Sequence, residues 1–239
     1  MVEVYRSIER AAPKPIATQV GGKFTYRYAD QTIEAAIFLK LTRLVSLVRG
    51  MLVLLEEGLV QEQCVLQRCI DETNEDIMFL ALAVTEGNRT EKHDRFLEEF
   101  WKEDYEDAGN PVVSRIPRAF SRKGIRPFVN RALAQEDPST ADAVSRTVFE
   151  MYSGFLHGAA PHITELYDEH AERFLVDGIA TNERYIDYIL DAQNSLYRSL
   201  LSVAVVSKAF GLKGELELAQ SVIAQFVRDL GPEWILKAD

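Results

Sequence analysis

From Asp30 onward, apolar residues recur every three or four positions. Phe38, Leu41, Val45, Val48, Leu52 and Leu55 form one series, and Leu66, Ile70, Thr73, Ile77, Leu80 and Val84 form a second. A helix of 3.6 residues per turn gathers each series on one face, so both segments are predicted amphipathic helices. Glu57-Gly58 between them reads as a turn, which makes the pair an antiparallel helical hairpin with coiled-coil-like packing.

Downstream, Thr90 to Tyr105 reads as a shorter acidic helix ending near Gly109-Asn110-Pro111. Pro117, Gly124, Pro127 and Pro138 break residues 112–138 into short helical pieces. Ser139-x-x-Asp142 resembles a capping box and opens a helix to about Leu156. Gly158 ends it, and Pro161 starts another predicted helix to Val176. Thr181 caps a long helix to Phe210, followed by a last one from Glu215 to Leu230. On the long helix, Ile186, Ile189, Leu196, Leu200 and Ala204 occupy one side. Arg184, Asp191, Ser195, Arg198 and Ser202 occupy the other. The pattern predicts an all-α fold, a single helical bundle over residues 30–239 preceded by a short irregular arm over 1–29. In that arm Lys23 to Tyr28 alternates with period two, enough for at most one short strand. The helical seams also permit a homodimer.

Composition narrows the function classes. The 239 residues carry a net charge of −10, so the chain has no long-range attraction for nucleic acid or anionic membranes, and either partner needs a local basic patch. Lys40, Arg43 and Arg49 interrupt the most apolar stretch, Ala35 to Leu55, which excludes an ordinary membrane span. The N-terminus has no apolar signal segment. Cys64 and Cys69 are placed neither to bridge nor to share a metal, and a cytoplasmic location follows as the expectation. No cofactor motif is present, and no metal-ligand spacing of the His-Glu-x-x-His kind. His162, Glu165 and Glu169 share a helical face but read as a solvated one.

Candidate chemistry concentrates in three places. On the helix ending at Leu156, Arg146, Glu150, Ser153 and His157 form a narrow polar stripe opposite apolar residues. Ser153 and His157 stand one turn apart, as a hydroxyl and a general base would. On the helix at 60–86, Gln61, Cys64, Arg68, Glu72 and Glu75 form a second stripe. Facing stripes would join Arg68, Glu72, Ser153 and His157 in one polar cluster beside Tyr152. Third, Arg115, Arg118, Arg122 and Arg126 are anion-binding candidates in a stretch free of acidic residues. The acidic segment Glu91 to Asp107 is their expected internal partner.

Arg68-Cys-Ile-Asp-Glu72 (R-x-x-x-E) and Tyr152-Ser-Gly-Phe-Leu-His157 (Y-S-x-x-x-H) resemble the two signatures of an uncharacterised prokaryotic all-α family, over roughly residues 35–175. The resemblance implies an all-α fold and no assigned reaction. Some helical families of similar appearance act in phage defence or as ribonucleases of the HEPN type. That type carries an arginine four to six residues before its histidine, whereas the nearest upstream arginine of His157 is Arg146. The expectation is a binding or regulatory protein linked to defence or stress. The alternative is an RNA- or phosphoester-acting enzyme using His157 and the basic segment 115–131.

Overall fold

The computed structural model describes residues 1–20, 23–107, 110, 112–117, 120–133, 138–179 and 183–231. It is mostly helical: α1 (Val2–Ala11), α2 (Ile33–Glu56), α3 (Val60–Glu86), α4 (Glu91–Trp101), α5 (Ile125–Leu133), α6 (Pro138–Leu156), α7 (Ala160–Thr164), α8 (Tyr185–Ala209) and α9 (Lys213–Leu230). Two small antiparallel hairpins, β1 (Ile16–Val20) with β2 (Lys23–Arg27) and β3 (Tyr167–Asp168) with β4 (Arg173–Phe174), complete it.

The α2–α3 hairpin forms as the periodicity predicts. Thr32 caps α2 by accepting from the Ala35 backbone N–H at 3.2 Å, and Gly58, at φ +69°, turns the chain into α3. Ile37, Leu41, Leu44 and Met51 of α2 meet Ile70, Ile77 and Leu80 of α3 in a core that Val203 and Val206 of α8 close. At the bottom of α3, His93 of α4 is fully buried and stacks on Phe79 at 3.8 Å. One of its ring nitrogens lies 3.1 Å from the Phe79 carbonyl, and burial lowers its pKa.

Two expectations about local structure change. The N-terminal arm is not irregular: α1 is a short amphipathic helix whose Val4, Tyr5 and Ile8 join the main core, and the stretch after it is a two-stranded hairpin. The helix expected from Pro161 to Val176 stops at Thr164. There the Asp168 side chain accepts from the backbone of His170 and of Ala171, both at 2.9 Å, and draws the chain into a turn between β3 and β4. On α8 both sides contribute buried residues, Leu200 and Ala204 from one and the serines from the other. Ser195, Ser199, Ser202 and Ser207 are 3% exposed or less, while Ile186 stands 55% exposed. A second, smaller core joins Val60 and Cys64 of α3 with Tyr152 of α6, Ile179 and Tyr188 of α8. Gly178 admits no side chain there: its φ is +110°, and a methyl group would strike the Glu57 carbonyl.

Candidate functional site

The middle of α3 carries Asp71, Glu72, Glu75 and Asp76 between the buried Ile70 and Ile77, with Arg68 just before them. At 100° per residue the four carboxylates span an arc of about 140°, too wide for one neighbour to cover. Each must find a cation, because an unpaired charge cannot remain inside the bundle. Asp71 faces α8 and accepts from Arg198 Nη1 at 2.7 Å. Burial outweighs that partner and raises its pKa. Asp76, 2% exposed, accepts from Lys40 of α2 at 2.7 Å and from Arg122 Nη1 at 2.6 Å. Glu75 accepts from Arg126 Nε at 2.6 Å and lies 3.4 Å from Arg122 Nη2, which also donates to the Glu72 carbonyl at 3.2 Å. Burial works against the Arg122 guanidinium, but Asp76, Glu72 and Glu75 together hold its pKa above the ordinary value.

These arginines reach α3 because α5 is pinned from below. Ile125 and Val129 sink into the main core, and Phe128 packs edge-on against Phe79. Arg122 and Arg126, one turn apart across the start of α5, then project onto the α3 carboxylates. Arg68 donates through Nη2 to Glu72 at 2.7 Å, while its buried Nε and Nη1 have no hydrogen-bond acceptor. The ring of Phe149 on α6 takes their place. Its centroid lies 3.4 Å from the Arg68 guanidinium carbon and 4.7 Å from that of Arg126.

Above this network opens a cleft of about 280 Å³ between α3, α5 and α6. Arg122, Lys123, Arg126 and Arg146 line it against two carboxylates, Glu72 and Glu75, with Phe149 as an apolar wall. Positive charge is therefore in local excess on a chain of net charge −10.

The residues anticipated from sequence divide between this cleft and the surface. Arg68 and Glu72 belong to the network. Tyr152 is 4% exposed in the smaller core, where burial raises its pKa. The two polar stripes meet only at Arg146, because α6 turns Phe149 and Tyr152 toward α3. Arg146, though exposed, lines the cleft, whereas Glu150 and His157 are exposed outside its lining and Ser153 is half-buried. His157 stands eight residues beyond Phe149, about 12 Å along the helix axis at 1.5 Å per residue, away from the arginines of the cleft. The two motifs of the resemblance are thus not assembled into one site.

Of the anion-binding candidates, Arg122 and Arg126 are held by α3 rather than by the acidic α4, whose Glu91 and Asp94 pair with Arg95 and Arg89. Arg115 is exposed in a β-bridge with Tyr105, and Arg118 lies outside the described residues. Lys40, Asp71, Asp76, Arg198 and Phe149 are the members that sequence reasoning passed over. Four carboxylates within six residues at the centre of a core helix were the available signal.

Among the described residues, no group of three or more His, Cys, Asp or Glu side chains is placed to hold a metal ion. The His162 Nδ1 atom lies 3.7 Å from Glu165, whose other oxygen accepts from the Tyr188 hydroxyl at 2.6 Å. No helix among the described residues is long and apolar enough to cross a membrane. Comparison of the chain with protein-family models, with curated proteins and with solved structures finds no match in any of the three.

Proposed function

We propose that this chain is a binding or regulatory protein of the cytoplasm, and that its site is the cleft between α3, α5 and α6. The observation that carries the proposal is the cleft's four cations against two carboxylates on a strongly acidic chain. Such an excess favours a small anion, and charge-assisted hydrogen bonds from guanidinium groups suit phosphate or carboxylate oxygens. The volume suits a ligand of about mononucleotide size, and the Phe149 ring offers a flat apolar wall to its non-polar part. Binding is preferred over catalysis because the one candidate general base, His157, stands far from the cleft. Free Cys64 and Cys69 agree with a reducing compartment. A role in defence or stress is the biological extension of this reading.

Thermal unfolding with inorganic phosphate, pyrophosphate or adenosine monophosphate tests it, each against sodium chloride at equal ionic strength. At least one anion raises the midpoint, and the double substitution Lys123→Ala, Arg146→Ala at the cleft's lip removes the increase. Midpoints no higher than in chloride for all three anions reject the proposal.

A further inference from the structure

The carboxylates beside the cleft between α3, α5 and α6 are already matched from within the bundle. Arg68 pairs with Glu72 at 2.7 Å, Lys40 with Asp76 at 2.7 Å, and Arg122 lies 3.4 Å from Glu75. Taken one to one, these pairs neutralise all three acids and leave Lys123, Arg126 and Arg146 of the lining in surplus. Arg126 gives Nε to Glu75 at 2.6 Å, but among the described residues its Nη1 and Nη2 have no hydrogen-bond acceptor. Among the same residues, neither the Lys123 ammonium nor the Arg146 guanidinium has a carboxylate within ion-pair distance.

The surplus is divided between two walls. Lys123 and Arg126 flank the first residue of α5, whereas Arg146 belongs to α6, three residues before Phe149 and on the same face. Together the three groups offer up to about twelve N–H donors. A carboxylate, with about four acceptor sites and one charge, leaves most of them unfilled. A phosphate monoester brings at most about two charges, and a second phosphoryl group adds further charge and about three acceptor oxygens. Among the described residues of the lining, none has a side-chain amide or hydroxyl, so selection rests on charge and on the placement of cationic donors. We infer that the cleft selects a diphosphate group. One phosphoryl pairs with Lys123 and Arg126, and the other with Arg146 across the cleft. The inference rests on the cleft being the anion site proposed above, and it narrows the ligand class of that site.

Isothermal titration of the full chain at neutral pH and fixed ionic strength, with EDTA present, tests the inference. The probes are orthophosphate, pyrophosphate, adenosine monophosphate, adenosine diphosphate, and citrate, which carries comparable charge on carboxylates. Adenosine diphosphate binds about tenfold more tightly than the monophosphate, and pyrophosphate about tenfold more tightly than orthophosphate. Citrate binds more weakly than either diphosphate. Arg146→Gln, at an exposed position, lowers the ratio between adenosine diphosphate and monophosphate to about threefold or less. The circular dichroism spectrum and unfolding midpoint of the ligand-free variant stay those of the parent. Pyrophosphate as tight as adenosine diphosphate shows that the free diphosphate suffices, and weaker pyrophosphate shows that the ester is preferred. Either result upholds the inference. Equal affinity for mono- and diphosphate, or for citrate and diphosphate, overturns it while leaving an anion site in the cleft. So does a ratio that Arg146→Gln leaves unchanged. Absence of binding by every probe overturns both the inference and the function proposed above.

Discussion

The guanidinium of Arg68 rests on the ring of Phe149, 3.4 Å from its centroid, and this contact replaces the hydrogen bonds that two of its buried nitrogens lack. The pair joins α3 to α6 by an interaction that burial strengthens, since the ring face is the negative end of the aromatic quadrupole. It also sets the position of Phe149 in the wall of the cleft.

Phe149→Leu keeps an apolar group beside Arg68 but removes the ring face. We expect a loss of about 1–2 kcal/mol in urea unfolding, mostly from the uncompensated guanidinium. Arg68→Met, which removes the charge and keeps the packing, should cost less. Equal stability of Phe149→Leu and the parent would show that the stack contributes nothing.

Asp76 lies between Lys40 and Arg122 with almost no solvent contact. Asp76→Asn leaves both cations facing a neutral amide and should cost about 3 kcal/mol, because a buried pair broken on one side strands its partner. Arg122→Met should cost less, since Lys40 still neutralises Asp76. A shift under 1 kcal/mol for Asp76→Asn in equilibrium unfolding would contradict the burial of that network.

Asp191 should make stability depend on pH. Burial, with the neighbouring charges of Asp187 and Asp71, pushes its pKa up to about 6. Its folded pKa exceeds its unfolded value, so its favourable contribution is complete below about pH 4 and is lost as pH rises through about 6. Asp191→Asn should therefore stabilise the protein by about 1–2 kcal/mol at pH 7.5 and have little effect at about pH 3.5, the part-solvated carboxylate discounting the full value. Parallel stability-pH curves for the two proteins would show that Asp191 is not the group responsible.

Gly154 on α6 lies directly against the His162 ring, which itself packs on Phe155 at 4.1 Å. A methyl group at 154 collides with Nε2 and Cδ2 of that ring and forces it outward. Gly154→Ala should cost about 1–3 kcal/mol despite the better helix propensity of alanine. Adding His162→Ala should recover most of that loss. Additive effects in the double-mutant cycle would mean that the two residues do not compete for space.

The periodicity of α2 and α3 was legible because long helices packed side by side must repeat their apolar residues at the helical period. Ile70, Ile77 and Leu80 lie in the core as that spacing requires. On α8 the same reasoning separated an apolar side from a polar one but did not place the polar side inside the bundle. Serine is small and returns its hydroxyl to the helix backbone, as Ser199 does to the Ser195 carbonyl at 2.7 Å. Its neighbours Gln67 and Asn74 on α3 supply further partners. A polar face can therefore be buried when its groups satisfy one another, and polarity alone does not announce it.

By itself the sequence determined the helical class, the α2–α3 hairpin, the turn at Gly58, and the acidic charge that leaves any basic patch exceptional. Those features depend on neighbours within a few turns. Which stripe of α6 faces α3, and which carboxylates receive Arg122 and Arg126, depended on residues about 50 to 80 positions apart. Only the docking of α5 and α6 decided them. Once Ile125, Val129 and Tyr152 were buried, Phe149 came over Arg68 and the arginines over Glu75 and Asp76, because buried charge must be neutralised where it lies.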